Sequence, residues 1–237
     1  MKTLKALRKR AEADPPLEES RRLLAGLTPA AAIAILEPLA GERRRARILE
    51  VVNARVGNVT LLMDAPHDPH NGAAVIRSAD AFGLPEIHVV PRNEPFLIGR
   101  RVTQGTERWV EVLQHASPAV AVDSLRARGF ELVATHPKGE LVPEDLARVE
   151  RLCLILGNEH DGICEALASA ASRTVRIPMR GFVESLNVSV AAALLLRAAT
   201  LGRAGDLSDE ERERLYAVGL VRSVPRGSEI LAAHPRH

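Results

Sequence analysis

Short apolar runs alternate with helix-like segments from residue 58 onward. Each run is too short for a typical helix and is nearly continuous in apolar residues, as strands buried on both faces are. The predicted strands are Val59–Met63, Ile87–Val90, Trp109–Leu113, Glu131–Thr135, Leu152–Leu156 and Val175–Ile177. The predicted helices are Asn71–Phe82, Ser117–Arg128, Ile163–Ala171 and a long helix after Asn187. This alternation predicts an α/β domain with a mainly parallel sheet and helices on both of its faces.

Helical patterns flank this domain on both sides. Thr28-Pro29 begins an apolar stretch that runs to Leu39, and residues 43–55 place apolar side chains at helical spacing opposite basic ones. After the domain, Ser208 precedes an acidic helix start, and Pro225, Gly227 and Pro235 interrupt the rest. We therefore divide the chain into a basic helical extension (1–56), the α/β domain (57–202) and a helical tail (203–237).

Composition favours a globular cytoplasmic protein that does not enter a membrane. Hydrophobic residues make up 46% of the 237 residues, which is enough for a core. Arg197 interrupts the longest apolar run, and the basic N-terminus lacks the apolar segment of a secretion signal. Cys153 and Cys164 have no His spacing typical of zinc sites, so we expect reduced thiols without a chemical role.

Positive charge is concentrated near the N-terminus. Residues 1–56 contain 12 Lys and Arg against 7 Asp and Glu, whereas residues 57–202 contain 14 against 17. Basic runs of this kind bind phosphate backbones, although a solvated helix face explains them nearly as well. Since aromatic residues make up only 3% of the chain, any RNA binding is expected to use phosphate and shape. The candidate RNA-binding residues are Arg10, Arg43, Arg44 and Arg45.

Three polar segments follow predicted strands, and ligands bind at the carboxyl ends of strands in open α/β sheets. In the first, residues 67–79, Asn71 opens a predicted helix and Arg77 follows within about two turns. His67 and His70 have the spacing of a helical metal pair, but Pro69 between them disfavours a metal site.

The second polar segment is the glycine-bounded loop Gly157-Asn-Glu-His-Asp-Gly162, with Glu159 near its centre. It does not match the GxxxxGK[ST] phosphate loop, and no strand-linked GxGxxG is present for a dinucleotide. Nucleoside triphosphate and NAD functions are therefore disfavoured.

The third polar segment, residues 177–193, leads into the long alanine-rich helix. Ser185 and Asn187 both have the character of helix N-cap residues, and helix N-termini present backbone N–H groups that can hold a ligand. Ile177, Met179 and Leu186 supply apolar walls for a flat ring. A well-capped buried helix is the alternative if this segment is considered alone.

Together the three segments resemble the signature motifs of the SpoU/TrmH branch of the SPOUT RNA methyltransferases, in order, spacing and residues. The resemblance runs from about Arg43 to Arg203 and is closest to enzymes that methylate the 2'-hydroxyl of guanosine 18 in tRNA. One departure is Ala73, where many relatives have Ser. The resemblance implies an α/β fold with a deep C-terminal trefoil knot, which no compositional argument predicts.

The resemblance also implies a cofactor, an assembly and residue roles. The cofactor is S-adenosyl-L-methionine, and the assembly is a homodimer with the active site at its interface. Arg77 therefore acts either on the cofactor bound to the other chain or on that of its own chain, and both alternatives stay open. Arg77 contacts the reacting hydroxyl and the adjacent phosphate, and it serves as base only if it releases its proton; an RNA phosphate oxygen is the other acceptor. Asn71 and Glu159 orient Arg77 and the ribose. The implied cofactor-binding residues are Thr135, Leu156, Gly157, Asn158, Ile177, Met179, Gly181, Ser185, Leu186 and Asn187.

Three functions remain open at this point. The first is 2'-O-methylation of guanosine 18 in the tRNA D-loop, and the second is the same reaction on ribosomal RNA. The N-terminal extension is shorter and more helical than the α/β extension of many ribosomal relatives, which favours tRNA. The third is a catalytically silent RNA-binding protein, against which the retention of every key motif residue argues. For Arg77 and Glu159 themselves, the alternative to a catalytic role is an exposed salt bridge of little energetic consequence.

Overall fold

The computed structural model describes residues 22–91, 109–158 and 160–234. These residues form two compact units. The larger unit spans residues 55–206, and the smaller unit joins residues 22–54 to residues 207–234.

The larger unit contains, among the described residues, a six-stranded sheet whose neighbouring strands are all parallel. The strands are β1 (Val59–Asp64), β2 (Glu86–Val90), β3 (Glu111–Gln114), β4 (Glu131–Thr135), β5 (Leu152–Leu156) and β6 (Arg173–Val175). Their order across the sheet is β3-β2-β1-β5-β4-β6. Strands β2 and β3 therefore lie on one side of β1, and β5, β4 and β6 lie on the other side. The strand order reverses between β1 and β5, and open α/β sheets bind ligands at such a switch point.

The apolar runs predicted most strands well but misplaced β3 and β6. The bounds of β4 and β5 are those predicted. Trp109 does not lie in β3; it lies in a turn before the strand, where its carbonyl accepts a hydrogen bond from the buried Arg55 guanidinium at 2.9 Å. Strand β6 ends at Val175 because its partner β4 ends at Thr135, opposite Val175. The predicted extension of β6 to Ile177 was therefore wrong.

Helices cover both faces of the sheet, as predicted. The helices of this unit are α3 (Pro69–Ala81), α4 (Pro118–Ala127), α5 (Glu165–Ala170) and α6 (Val188–Ala199), with a 3-10 helix at Pro143–Arg148. Helices α3 and α6 share one apolar cluster with the sheet, and α4 and α5 share a second one. The prediction that Asn71 opens α3 was wrong, because Asp68 caps the helix and Pro69 occupies its first position.

The smaller unit is entirely helical in its described part. Its helices are α1 (Pro29–Leu36), a 3-10 helix (Glu37–Leu39), α2 (Glu42–Asn53), α7 (Asp209–Ser223) and α8 (Gly227–Ala232). Helices α2 and α7 pack closely: a Cβ atom at Gly219 would lie 2.6 Å from Cγ2 of Ile48. Ser208 and Glu211 form a capping box at the start of α7, as the sequence indicated. None of the described helices in either unit is long and apolar enough to cross a membrane.

A chain of buried polar side chains runs along β2 in the larger unit. Nδ1 of His88 lies 2.8 Å from Nε2 of His115, and Arg128 forms an ion pair with Glu86 at 2.5 Å. Burial disfavours the protonated ring and, with the neighbouring His88, lowers the pKa of His115 to about 4. Burial by itself raises the pKa of Glu86. The hydrogen bonds and positive charges of His88 and Arg128 lower it by more, so the pKa falls from 4.5 to about 2.

The two cysteines lie in the larger unit. Cys153 is fully buried in β5, and burial raises the pKa of its thiol, so the reactive thiolate is disfavoured. Cys164 is half-buried at the start of α5.

Candidate active site

The three polar segments meet at the carboxyl edge of the sheet. The first follows β1, the second follows β5 and the third follows β6, and β1 and β5 are neighbours in the sheet. Parallel strands bring their carboxyl ends to one edge, so segments that lie far apart in sequence become adjacent. A hydrogen bond joins the first and third segments directly: Nδ2 of Asn187 donates to Oδ1 of Asn71 at 3.0 Å.

The loop after β5, described at residues 157, 158 and 160–164, is held in a tight turn by Asn158. The backbone N–H of Asn158 donates to the carbonyl of Gly162 at 3.2 Å. Its side-chain Oδ1 accepts from the backbone N–H groups of His160 at 2.9 Å and Asp161 at 2.7 Å. A Cβ atom at Gly157 would overlap the Gly162 backbone, so this close approach requires glycine. Predicted catalytic residue Glu159 lies outside the described residues.

The third segment ends at the N-cap of α6. Asn187 is the cap, since its Oδ1 accepts from the backbone N–H of Ser189 at 2.8 Å and from the Ser189 hydroxyl at 2.6 Å. Ser185 does not cap the helix, contrary to the sequence-based expectation; it lies two residues before the cap and is exposed. The reason is that α6 begins at Val188, and the N-cap is the residue directly before the first helical residue.

A cavity of about 480 Å³ lies between the loops that follow β4, β5 and β6. Its volume falls in the range of about 300–1,000 Å³ that is usual for small-molecule sites. All the predicted cofactor-binding residues line it except Gly181, which is exposed and lies outside the lining. The lining also includes residues that the sequence analysis missed: His136, Pro137, Gly162, Ile163 and Glu184. A signal for His136 and Pro137 was available, because they follow Thr135 at the carboxyl end of a predicted strand.

One buried donor at this cavity lacks a partner within the described part of the chain. The side chain of Asn158 is almost fully buried, and its Nδ2 makes no hydrogen bond to any described residue. Buried polar atoms are rarely left unpaired, because the desolvation cost is not recovered. Asn158 lines both this cavity and a small one of about 10 Å³ that Asp64 also lines.

Helix α6 separates this cavity from a second groove that contains Arg77. Val188, Ala191 and Leu195 of α6 line the cavity, whereas Ser189, Val190, Ala193 and Leu194 line the groove. These two sets fall on different faces of a helix with 3.6 residues per turn. Arg77 is exposed on α3, where it lines the groove, and it forms no ion pair with another described residue.

The exposed apolar side chains of this region surround the groove and the third segment. Val190 and Leu194 are nearly half exposed, and Phe182 and Val183 are more exposed still. Large side chains of this kind, grouped together, are typical of surfaces that bind another protein.

Histidines lie at the rim of the site without forming a metal centre among the described residues. The rings of His67 and His160 make an edge-to-face contact with their centroids 5.7 Å apart. His70 lines the groove beside Arg77. No group of three or more His, Cys, Asp or Glu side chains suited to a metal ion is found in the ranges that the structure describes.

A family model described as the SpoU rRNA methylase family matches residues 58–197. The chain belongs to this family. The matched range contains all three polar segments and most of the larger unit, so the resemblance inferred from the motifs is confirmed.

Proteins of known function or structure are similar to this chain in sequence or in fold. The tRNA (guanosine(18)-2'-O)-methyltransferase of Escherichia coli (strain K12) is 36% identical over 154 residues, which are 65% of this chain and 67% of the relative. The crystal structure of the A. aeolicus TrmH/SpoU tRNA modifying enzyme matches with a TM-score of 0.70 at 28% identity, covering 78% of this chain and 98% of that chain. The SpoU methyltransferase AviRb from Streptomyces viridochromogenes, solved in complex with AdoMet, matches with a TM-score of 0.55 at 28% identity, covering 62% of this chain and 57% of that chain.

The predicted RNA-binding arginines belong to the smaller unit or lie outside the described residues. Arg43 and Arg44 are exposed in the first turn of α2. Arg45 is half-buried near Tyr216, whose hydroxyl donates to Oε1 of Glu37 at 2.7 Å. Burial and this hydrogen bond raise the pKa of Tyr216 to about 12, while the charge of Arg45 opposes the shift. Arg10 falls in the range that the structure does not describe.

Proposed function

We propose that the chain is an S-adenosylmethionine-dependent RNA 2'-O-ribose methyltransferase that methylates guanosine 18 in the D-loop of tRNA. The observation that carries the proposal is the cavity of about 480 Å³ formed by the second and third segments of a SpoU family member. The E. coli relative carries this activity in its name, and AviRb was solved with AdoMet.

The side chains around the cavity suit this cofactor. Ile177, Met179 and Leu186 are half-buried apolar walls for the adenine ring. The unpartnered Nδ2 of Asn158 is a donor for one of the cofactor's carboxylate or hydroxyl oxygens. Thr135 lines the cavity but donates its hydroxyl to the carbonyl of Ile155 at 3.1 Å, so it shapes the wall. When bound, S-adenosylmethionine supplies a methyl group on a positively charged sulfur.

The residues of the chain then have to hold and activate the ribose hydroxyl. A ribose 2'-hydroxyl is a weak nucleophile, so orientation and electrostatic stabilisation provide most of the rate. Arg77 donates to this hydroxyl and to the adjacent phosphate, which aligns the oxygen and stabilises developing negative charge. The proton passes to an RNA phosphate oxygen, or to Arg77 if its guanidinium has released a proton. Asn71, fixed by its hydrogen bond from Asn187, and Glu159 orient Arg77 and the ribose.

The separation of Arg77 from the cavity by α6 supports a homodimeric active site. We propose that two copies pair through the exposed side chains Phe182, Val183, Val190 and Leu194. Arg77 of one copy would then face the cofactor cavity of its partner. Burying these side chains removes apolar surface from water, which stabilises the dimer.

The trefoil knot belongs to the same proposal. The loop after β4 lies tightly against the end of β6: a Cβ atom at Gly139 would lie 2.5 Å from the carbonyl carbon of Val175. The N–H of Arg176 donates to the carbonyl of Leu141 at 2.9 Å. In the proposed knot, the chain that follows β6 passes through the loop after β4 and so brings the third segment to the cavity.

A ribosomal RNA substrate is the second candidate, because the matching family is itself described by ribosomal RNA methylation. Either substrate would be met in the cytoplasm. In both cases we propose that the basic helix α2 contacts RNA phosphates through Arg43 and Arg44, both of which are exposed.

The test is incubation of the purified protein with labelled S-adenosylmethionine and unmodified tRNA transcripts. Mass spectrometry of nuclease fragments then locates any 2'-O-methyl group. Methylation of the D-loop guanosine is the expected result. Incorporation only into ribosomal RNA would transfer the function to the second candidate, and incorporation into neither would overturn the enzymatic proposal in favour of RNA binding alone.

A further inference from the structure

Asp64, which the mechanism does not use, is a buried acidic residue at the carboxyl edge of the sheet. It is the last residue of β1, and only 1% of its surface is exposed. Burying a carboxylate is costly unless hydrogen bonds compensate the lost hydration. Its Oδ2 accepts the backbone N–H of Cys164 at 2.6 Å, across 100 residues of sequence. Hydrogen bonds from an N–H group to a carboxylate are typically stronger than those between neutral groups.

Cys164 is the point where the loop after β5 ends. It is the N-cap of α5, and its side chain makes no capping hydrogen bond. The loop therefore starts from β5 within the sheet and is attached at its other end to β1 through Asp64. Between these two points the Asn158 hydrogen bonds close the turn. The same loop supplies Gly157, Asn158, Gly162 and Ile163 to the cavity wall.

Asp64 also borders the first segment. A small cavity of about 10 Å³ is lined by Asp64, Asn71, Gly157 and Asn158 among others. Asp64 thus lies where the loop that holds the proposed cofactor meets the helix that carries Asn71 and Arg77.

We infer that Asp64 is a positioning residue for the cofactor loop. Its carboxylate holds the Cys164 N–H and so fixes residues 157, 158 and 160–164 in the form that binds S-adenosylmethionine, without touching cofactor or substrate. The inference rests on the proposed function, because it assigns Asp64 a role at that same cavity.

The test compares Asp64→Ala with the isosteric Asp64→Asn. The alanine variant leaves the Cys164 N–H unsatisfied, so we expect the Kd for S-adenosylmethionine, measured by calorimetry, to rise about 5- to 100-fold. The KM for S-adenosylmethionine should rise in parallel, while kcat and the KM for tRNA change little. The asparagine variant keeps an acceptor oxygen and should bind within about threefold of the wild type.

A matched control separates positioning from general stability. Oδ2 of Asp145 also accepts a backbone N–H, that of Val142 at 3.0 Å, but neither residue lines the cavity. Asp145→Ala should lower the urea midpoint without changing the cofactor Kd. If Asp64→Ala is folded and binds S-adenosylmethionine like the wild type, or if Asp145→Ala loses affinity equally, the inference is overturned.

Hydrogen exchange provides a readout that does not depend on activity. Asp64→Ser retains a polar group too short to reach Cys164, and we expect faster amide exchange in residues 157, 158 and 160–164 than in the wild type, with β4 unchanged. Unchanged exchange in that loop would overturn the inference even if Asp64→Ala fails to fold. A wild-type protein that binds no S-adenosylmethionine would instead refute the proposed function, and the exchange result would still decide whether Asp64 anchors the loop.

Discussion

At the scale of single residues, Asn158 combines two tasks in one amide. Its oxygen closes the turn by accepting from His160 and Asp161, while its nitrogen is buried at the cavity without a partner in the described structure. The two halves of the side chain can therefore be tested separately.

Asn158→Asp keeps an oxygen acceptor for the turn but replaces the donor nitrogen with a second oxygen. We expect the affinity for S-adenosylmethionine to fall by about 10-fold or more, because the ligand loses a buried hydrogen bond and meets an acceptor instead. Calorimetry measures the loss, and circular dichroism checks that the fold is retained. Asn53→Asp, an exposed change in α2, is the control. Unchanged affinity in Asn158→Asp would mean that Nδ2 does not contact the cofactor.

Arg77 is expected to act on the reaction and not on cofactor binding. Arg77→Lys retains a positive charge but loses the planar, forked donor set that contacts two oxygens at once. We expect kcat to fall by at least about 100-fold while the Kd for S-adenosylmethionine stays unchanged. Arg148→Lys, an exposed arginine of the same unit, should remain fully active. A fully active Arg77→Lys enzyme would exclude this role for the guanidinium.

At the scale of elements, the polar chain along β2 makes the stability of the sheet sensitive to acid. His115 has a folded pKa of about 4, below the ordinary value of 6.5, so the unfolded chain binds more protons between these two values. Stability is therefore fully present above pH 6.5 and is lost as the pH falls towards 4. Glu86, with a folded pKa of about 2 against 4.5, adds a further loss only below pH 4.5.

Urea unfolding should show this loss between pH 7.5 and pH 5. We expect the free energy of unfolding to drop by about 2 kcal/mol from His115 alone over that range. His115→Gln removes the titrating ring while keeping polar atoms near His88, and it should flatten the dependence. His70→Gln, an exposed change on α3, should leave the dependence as in the wild type. A wild type with equal stability at both pH values would contradict the prediction.

At the scale of the whole molecule, the proposed RNA contacts and the proposed cofactor cavity involve residues of different units. Arg43 and Arg44 belong to the smaller unit, whereas the cavity belongs to the larger one. Substitutions in α2 should therefore affect RNA affinity without affecting the cofactor.

The double variant Arg43→Ala/Arg44→Ala should weaken tRNA binding and reduce the salt dependence of binding. If both side chains neutralise phosphates, the slope of log K against log salt should fall by about 2. Filter binding at several salt concentrations measures the slope. Arg47→Ala on the same helix should change it less, since Arg47 is paired with Glu50 at 2.8 Å. An equal effect of both variants would indicate a non-specific charge effect.

Mixed dimers test whether Arg77 acts across the interface. Arg77→Ala has an intact cavity, and Asn158→Asp has an intact Arg77, so a dimer of one copy each would contain one complete site. At an S-adenosylmethionine concentration well below the Kd of Asn158→Asp, both variants alone should show little activity. Mixing them after reversible unfolding should then restore roughly one quarter of the wild-type specific activity, because half of the dimers are mixed and each of these has one complete site out of two. No recovery, with mixed dimers detected by native mass spectrometry, would mean that Arg77 serves the cavity of its own chain.

The sequence by itself determined the local structure and the family. The continuous apolar runs of β4 and β5 predicted both strands because buried parallel strands need apolar residues on each face. Thr28 and Ser208 predicted two helix starts because capping depends only on residues within one turn. The residues around Asn71, around Arg77 and around Asn187 indicated the methyltransferase motifs because each motif is a local pattern.

Only the tertiary structure decided which distant groups meet. The bond from Asn187 to Asn71 spans 116 residues and that from Cys164 to Asp64 spans 100, and no local pattern encodes either partner. The end of β6 depended on where β4 stops, because strand length is set by pairing between chain segments. The separation of Arg77 from the cavity likewise arises from the packing of α6 against α3, which buries one helix face and divides the groove from the cavity.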